Sequence, residues 1–411
     1  MKKSVLICLL FVMTIAKSFA TDIVVEEFGI TPAYPTITDA VAAASNGDRI
    51  IIKNRAGNIP WIENINITKS LQFLPFDNDT FFVAQGTWTI TLGAGQAVTI
   101  IGMKNTLGGV QATSSTGGAK TAQINIHGSY FISGNIYISS SSYELNATHN
   151  QLDAGYIYTS FGSICGNDVT TSSSYPIQVY NNSGTALNDT VFIIGNKVNS
   201  TATGYSAIYV SDIISRYHIK NNFVKSRYMG IMTGNTCNGT NLIYNNTILL
   251  NNTSSSVYGI DVYQVGTGDI LEIMNNVIDF VSTTSSMTGI NNDGGNTGTV
   301  NVYFNHVDVA ANYPISSGFS FSGNNTTSQS LTLANDGHIQ AGSAAINGGN
   351  PAAPFYDLDL TAGDAGAYGG SYTLDNYFPL FAGSSRVYLN TYPFNVRLGN
   401  TLNIKGNSFD R

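Results

Sequence analysis

Isoleucine and valine alternate with polar residues along most of this chain, and one short pattern of them recurs. An apolar β-branched residue is followed three positions later by asparagine and five positions later by a second β-branched residue. The six copies are centred on Asn167, Asn196, Asn222, Asn246, Asn276 and Asn305, which lie 24 to 30 residues apart. A repeat of this length that contains several short alternating segments predicts a solenoid of stacked turns.

A second pattern follows each asparagine by 8 to 13 residues. It is a small residue or proline before an apolar one, at Pro176-Ile177, Ala207-Ile208, Gly230-Ile231, Gly259-Ile260, Gly289-Ile290 and Gly318-Phe319. Each repeat therefore contains at least two short strands. If the turns stack in parallel, like residues lie about 4.8 Å apart, and the asparagine amides can hydrogen-bond along their own column. We expect these asparagines at a bend, because asparagine tolerates left-handed backbone angles.

The composition indicates an all-β protein. Charged residues make up 10% of the chain, while aromatic residues make up 11% and glycine occurs 42 times. A disordered chain would carry more charge and fewer aromatic residues, and a long helical protein would need more of the strong helix formers. Residues 36–44 predict one short helix, which Asn46-Gly47-Asp48 ends before a first strand over residues 49–53. Such a helix would cover the exposed end of the solenoid.

Residues 1–20 have the pattern of a cleaved signal peptide. Lys2 and Lys3 precede an apolar run that is too short to cross a membrane, and Ser18-Phe19-Ala20 supplies small residues for cleavage. We therefore expect an exported protein without a transmembrane segment, located outside the cell or on its surface. Without Lys2, Lys3 and Lys17 the charge is 15 − 25 = −10, which argues against nucleic acid and anionic membranes as partners.

Two cysteines follow the signal segment, Cys165 and Cys237. They are 72 residues apart, almost three repeats, so about 14 Å of stacked turns separates them even on one face. A disulfide needs Cα atoms within about 7 Å. We predict that no disulfide joins them.

The chain resembles the right-handed parallel β-helix proteins of the pectate-lyase-like superfamily, in particular secreted bacterial members. The resemblance rests on residues 39–52 with the asparagine-centred repeats, and on two glycine-rich closing motifs at residues 342–351 and 364–370. It implies a single-stranded right-handed parallel β-helix over residues 46–345. An N-terminal helical cap at residues 21–45 precedes it, and a closing motif with a small β cap at residues 346–411 follows it. We expect the alternating segments at residues 387–389 and 401–404 to form strands on the last turns, although an anchoring or sorting module is an alternative for this tail.

Familiar catalytic patterns are missing from the sequence. A lyase of this superfamily needs Arg or Lys beside carboxylates that bind Ca²⁺, and an inverting hydrolase needs clustered aspartates. Lys225 and Arg227 are neighbours, but the spacing does not assemble two carboxylates with them on one outward face. The histidines are scattered, so no metal cluster or serine triad is predicted. Asp357, Asp359 and Asp364 could hold Ca²⁺, but we favour a turn stabilised by aspartate, and we expect no cofactor.

Polar and aromatic side chains recur at one angular position after the second pattern. Outward positions on successive turns hold Gln178, Tyr180, Tyr209, Ser211, Met232, Asp261, Tyr263, Asn291 and Asp293. Tyrosine rings stack on sugars, and Asp and Asn hydrogen-bond hydroxyl groups. We take Tyr209, Asp261, Tyr263, Asn291 and Asp293 as ligand-binding candidates, with Arg216 and Arg227 nearby for acidic sugars. The alternative is a solvated sheet face, where tyrosine is simply a good strand former.

Two functions of different classes follow from these observations. The first is an exported, monomeric protein that binds polysaccharide or acts as a scaffold, without catalysis of its own. The second is a polysaccharide lyase or glycoside hydrolase that acts on acidic glycans. A set of two carboxylates with Arg or Lys on one outward face would favour the second.

Overall fold

The structure is a right-handed parallel β-helix, in which each turn contributes a strand to each of three parallel sheets. The computed structural model describes residues 20–77, 81–115, 118–180, 190–211, 215–234, 239–251, 256–281, 286–308, 310–328, 331–381, 385–391 and 405–410. The predicted fold class, an all-β parallel β-helix, is confirmed. The predicted signal segment lies almost entirely outside the described residues, and so does Cys237.

Sheet A has thirteen parallel strands and immediately precedes the asparagine turn in each repeat. Its strands are Asp22–Val25, Arg49–Ile52, Leu71–Pro75, Ala97–Ile101, Ala122–His127, Tyr143–Thr148, Gly162–Cys165, Thr190–Ile194, Arg216–Lys220, Thr240–Tyr244, Ile270–Met274, Thr299–Tyr303 and Phe321–Gly323. The first strand lies within the segment predicted as the N-terminal cap and pairs in parallel with the second. The stacking therefore begins before residue 46.

Sheet B follows the asparagine turn, and sheet C follows sheet B. Sheet B contains Trp61–Ile62, Tyr130–Phe131, Gln151–Leu152, Asp168–Thr171, Lys197–Ser200, Phe223–Ser226, Thr247–Leu250, Val277–Phe280, His306–Asp308 and Thr326–Ser328. Sheet C contains Ile65–Ile67, Gly134–Ile138, Ile157–Thr159, Ile177–Tyr180, Ser206–Ser211, Met229–Thr233, Val257–Val262, Met287–Asn292 and Tyr313–Ile315. Two long strands, Phe82–Ile90 and Met103–Ala112, take part in both sheets.

The remaining elements are few. Helix α1 covers Ile37–Ala43, and three short 3₁₀ turns cover Ala56–Asn58, Ala353–Phe355 and Leu374–Asn376. The carboxylate of Glu63 accepts the main-chain N–H groups of Ile37 and Thr38 at the start of α1, and the Lys69 ammonium donates to carbonyls at its end. The negative charge lies at the positive end of the helix dipole and the positive charge lies at its negative end, so both stabilise the predicted helix.

Three apolar columns fill the interior, one from each sheet. In sheet A the register aligns Ile164, Ile193, Ile219, Ile243, Ile273 and Val302. In sheet B it aligns Val169, Val198, Val224, Ile248, Ile278 and Val307. All twelve are at most 2% exposed. These are the two β-branched positions of the repeat, and their burial explains why the pattern recurs so regularly.

The repeat asparagines form one continuous column, as predicted. From Asn150 to Asn325, each side-chain amide donates to the side-chain oxygen of the asparagine in the next turn, at 2.9–3.0 Å. Each oxygen also accepts the main-chain N–H of the preceding asparagine in the column, as between Asn196 and Asn222. Buried amides are costly unless they are paired, so the column satisfies its own members.

The left-handed angles do not fall on these asparagines, and this detail of our prediction is wrong. They fall on the residue just before each of the six repeat asparagines: Gly166, Gly195, Asn221, Asn245, Asn275 and Phe304 have φ between 50° and 65°, and all but Phe304 are glycine or asparagine. Glycine and asparagine are the residues that adopt this conformation with least strain. The chain therefore bends one residue earlier, and the column asparagine immediately precedes the strand of sheet B.

Small residues of the second pattern lie within the sheet C strands, where neighbouring turns pack closely. A Cβ added to Gly259 would lie 2.5 Å from the carbonyl oxygen of Gly289 and 2.6 Å from Cγ2 of Ile278. In the last turn, Ile290 pairs with Ile315. Pro314-Ile315 thus continues the pattern, rather than Gly318-Phe319 as we expected from the sequence.

Residues 331–381 form a strap that packs along the side of the β-helix. The left-handed asparagines hold it: the amide of Asn221 donates to the carbonyls of Ala367 and Gly369, and Asn275 accepts the main-chain N–H of Asn350 at 2.8 Å. The rings of Phe381 and Phe81 meet at 5.0 Å. The strap thus runs back from the last turns toward the first ones.

An antiparallel hairpin, Ser385–Thr391 with Lys405–Asp410, follows the strap. We expected the C-terminal strands on the last turns, and the segment predicted at residues 401–404 lies outside the described residues. Phe381 lies beside Phe81, and four residues later the hairpin begins, a span of at most about 14 Å. The hairpin therefore begins near the first turns, because the two closing motifs lie along the side of the solenoid instead of across its end.

Candidate functional site

The predicted outward positions form a continuous column on sheet C. We call it the tyrosine column, and the strand registers place its members on consecutive turns: Gln111, Tyr137, Tyr158, Gln178, Tyr209, Met232, Asp261 and Asn291. Parallel pairing fixes their spacing at about 4.8 Å. The column extends farther toward the N-terminus than the sequence suggested, because the asparagine pattern weakens before Asn150.

A second outward row runs beside it. The registers continue from Tyr180 and Ser211 to Gly234, Tyr263 and Asp293. Tyr263 is 37% exposed, and Asp293 is also exposed. Tyr209, Asp261, Tyr263, Asn291 and Asp293 therefore share one face, as the sequence predicted.

Several tyrosine rings of this face contact one another. Tyr175 stacks on Tyr209 with ring centroids 4.6 Å apart and planes 18° apart, and Tyr205 meets Tyr175 edge-on. Tyr137 and Tyr158 meet at 4.8 Å. Burial raises the pKa of Tyr158 to about 12, so the phenol stays neutral at ordinary pH. Rings that are held in this way present fixed apolar surfaces beside hydroxyl groups, which suits the faces of sugar rings.

Asp261 is less accessible than the sequence suggested. It is 3% exposed, and the side-chain amide of Asn291 donates to its Oδ1 at 2.8 Å. Burial raises the pKa of Asp261. The hydrogen bond from Asn291 lowers that pKa, and the nearby charge of Asp293 raises it further. Asp293 and Tyr263 are thus the candidates of this pair of turns that solvent can reach most easily.

The two candidate arginines do not join this face. Arg216 opens a strand of sheet A, on another side of the solenoid. Arg227 lies in the turn from sheet B to sheet C and lines a cleft of about 250 Å³ with Lys225. The sequence grouped them with the column because they are close in number, whereas the three sheets point in three directions.

A shallow cleft of about 220 Å³ opens at the N-terminal end of the tyrosine column. We call it the glycine cleft, and it is lined by Thr87, Gly108, Gly109, Val110, Gln111, Asn135, Tyr137 and Tyr156. A Cβ on Gly109 would lie 2.3 Å from the carbonyl oxygen of Asn135. Missing side chains thus expose the backbone between the tyrosine rings. In the sequence, the recurrence of Gly86, Gly108 and Gly134 could have indicated the glycine cleft.

A carboxyl pair on sheet B was missed by the sequence analysis. Asp279 and Asp308 follow the aligned residues Ile278 and Val307, so they are stacked neighbours on the outward face. Burial, a hydrogen bond with Asp308 and the repulsion between the two groups raise the pKa of Asp279 to about 7. Lys225 and Leu249 precede Asp279 in the same column. The signal was available, because each aspartate stands three residues after a repeat asparagine.

The geometry of this pair is a poor match to glycoside hydrolysis. Retaining enzymes hold their two carboxyl groups about 5–5.5 Å apart and inverting enzymes hold them farther apart. Asp279 and Asp308 are hydrogen-bonded directly to each other. The space for a sugar or a water between them is therefore missing.

Lys220 has an altered ionisation but no access. Burial lowers the pKa of its ammonium to about 8, a value that suits a general base. The side chain is 2% exposed, and the rings of Tyr244 and of Tyr372 in the strap lie 4.5 and 5.3 Å from its Nζ. The strap covers this lysine, so an extended substrate cannot reach it.

The aspartates considered for Ca²⁺ are engaged in turns of the strap. Asp357 accepts the main-chain N–H of Asp364, Asp359 accepts that of Thr361, and Asp364 accepts that of Asn347 at 2.7 Å. Over the described ranges, no group of three or more His, Cys, Asp or Glu side chains is arranged to hold a metal ion. This geometry is typical of aspartate-stabilised turns.

Comparisons with known proteins add little to this picture. No family model matches the chain, and no curated protein is detectably similar to it. Among solved structures, the chain is similar to the crystal structure of pectate lyase Pel9A, with 12% identity and a TM-score of 0.42. The match covers 86% of this chain and 97% of the other. The fold assignment rests on the strand registers and not on this likeness. In the described part of the chain, no helix is long and apolar enough to cross a membrane.

Proposed function

We propose that this protein binds an extended polysaccharide along the tyrosine column, outside the cell or on its surface, without cleaving it. The observation that carries the proposal is the alignment of tyrosine, asparagine, glutamine and aspartate side chains at seven of eight consecutive turns, with Met232 at the remaining one. A chain of sugars is itself a repeat, so a protein surface with a regular repeat can contact several units at once. The glycine cleft gives one unit of such a chain a deeper position.

Replacing Tyr209 and Tyr263 together with alanine tests this proposal. Each ring contributes about 1 kcal/mol to stacking on a sugar, so the double variant should bind about 10- to 30-fold more weakly. Affinity electrophoresis against neutral and acidic glycans measures the retardation. Tyr130→Ala with Tyr303→Ala is the matched control, because these tyrosines lie on sheets B and A. Equal retardation of parent and Tyr209/Tyr263 variant by every glycan that binds would leave the column as a solvated face.

A second candidate function is cleavage of an acidic glycan, and one observation favours it. Lys225, Asp279 and Asp308 share one outward column of sheet B, which is the combination of residues that we named as the mark of an enzyme. Incubation with uronate and neutral polysaccharides, followed by assays for unsaturated products and new reducing ends, tests it. Activity that Asp279→Asn abolishes would replace the binding proposal with an enzymatic one.

A further inference from the structure

A cleft on sheet B brings two cationic side chains together in a protein of net charge −7. We call it the cationic cleft. Lys225 and Arg227 are two residues apart, with the buried Ser226 between them pointing inward, so both project from the same face. The other lining residues are Asn199, Ser200, Thr201, Ser226, Leu249, Asn251, Val281 and Asn335. None of these carries a negative charge.

The two cations are not used by the fold. Within the described ranges, the ion pairs of Arg49, Lys53 and Arg55 are formed at the N-terminal turns, and neither Lys225 nor Arg227 takes part in one. The Lys225 ammonium lies 5.3 Å from the Phe223 ring, and Arg227 is exposed. Asp279 and Asp308 stand two and three turns from Lys225 in the same column, and neither lines the cleft. Holding two like charges close together without a counter-charge in the cleft is unfavourable, so the pair is not explained by stability.

The neutral side chains around the cations are hydrogen-bonding groups. Asn199 precedes Lys225 in the sheet B register, Thr201 lies one turn before Arg227, and Asn251 lies one turn after it. Amide, hydroxyl, ammonium and guanidinium groups can all donate to one oxyanion. Leu249 and the exposed Val281 form an apolar wall beside them, where the C–H groups of a sugar ring can pack.

We propose that the cationic cleft binds an anionic group, a carboxylate or a sulfate ester, on a sugar of the polysaccharide. This inference rests on the proposed function for the class of ligand, but it concerns a different sheet and different residues. Because the protein as a whole is acidic, its long-range field repels a polyanion, and the selection of an anionic sugar must come from these local contacts.

The test compares calorimetric titrations with dextran sulfate, polygalacturonate and uncharged dextran. We expect the parent to bind at least one of the two anionic polymers, and which one it binds identifies the anionic group. Lys225→Gln with Arg227→Gln should weaken that binding at least about tenfold. Lys104→Gln with Arg216→Gln removes the same charge from other positions and should change it less than about twofold.

Two outcomes would overturn the inference: a parent that binds neither anionic polymer, and a control variant that loses as much affinity as the Lys225/Arg227 variant. The Tyr209/Tyr263 variant, titrated with the same polymers, separates this inference from the proposed function. If that variant binds like the parent while the Lys225/Arg227 variant does not, the column is refuted and the cationic cleft is supported. Thermal melting of each variant checks that the fold is intact.

Discussion

Replacing Asp279 with asparagine removes one half of the carboxyl pair on sheet B while keeping its size. In the folded protein, burial first and then the contact with Asp308 raise the pKa of Asp279 from 3.8 to about 7. The folded protein therefore keeps a proton on this group between about pH 4 and pH 7, where the unfolded chain releases it. This contribution to stability is complete below pH 4 and is lost as the pH rises through 7.

The size of the effect follows from the shift and the exposure of the group. A shift of about three pH units corresponds to about 4 kcal/mol for a fully buried group. Asp279 is only half-buried, so solvent screens the repulsion and we expect about 1–2 kcal/mol. Asparagine does not titrate, so the variant should become more stable than the parent by this amount between pH 5 and pH 8.

Urea unfolding at pH 5, 6, 7 and 8 measures the difference between variant and parent. The comparison uses variant minus parent, because other groups also change stability with pH. Burial lowers the pKa of His127 and His218 to about 3, so these histidines make both proteins more stable as the pH rises, and their effect cancels in the difference. Asp308→Asn removes only the contact and leaves Asp279 buried, so it should give a smaller gain, whereas Asp293→Asn, an exposed position on sheet C, should give none. A difference between Asp279→Asn and parent that stays constant over the four pH values would refute the reasoning.

Two further predictions concern the fold. Asn222→Ala removes the acceptor of two Asn196 hydrogen bonds and leaves buried N–H groups unpaired, so it should lower the free energy of urea unfolding by about 3–5 kcal/mol. The control Asn199→Ala, on the outward face of sheet B, should lower it by under about 1 kcal/mol. Equal losses in the two variants would contradict the asparagine column. Cys165 lies in sheet A, three strands before Thr240–Tyr244, and Cys237 precedes that strand in the sequence. Non-reducing peptide mapping should therefore find no Cys165–Cys237 disulfide. Finding one would contradict the strand register.

The stacked core could be predicted because it depends on a period that the sequence states directly. Positions such as Ile219 and Val224 recur at fixed distances from the repeat asparagine. In a parallel solenoid, residues at the same position of the repeat stack directly on one another. The asparagine column follows from the same reasoning, since a buried amide needs a partner and the nearest one is its own copy. A single sequence was sufficient for these features.

The strap could not be predicted, because nothing periodic connects its residues to their partners. Gly348 lies beside His306, and Ala367 lies beside Asn221, at separations of 42 and 146 residues. The same contacts give the left-handed positions a second role. Asn221, Asn245 and Asn275 bend the chain with their backbone and hold the strap with their side chains, whereas glycine at 166 and 195 leaves room for the ring of Tyr377.

The candidate site was only partly predictable for a related reason. The sequence identified an outward face by counting from Ile208 and Ile260, so it found sheet C and treated Arg216 and Arg227 as neighbours of that face. Counting from Asn276 and Asn305 instead would have placed Asp279 and Asp308 side by side, together with Lys225 from Asn222. In a solenoid, distance along the chain says little about proximity, and position within the repeat determines which side chains meet. A search for function in such a chain must therefore compare every position of the repeat across turns, including faces whose pattern looks plain within any single turn.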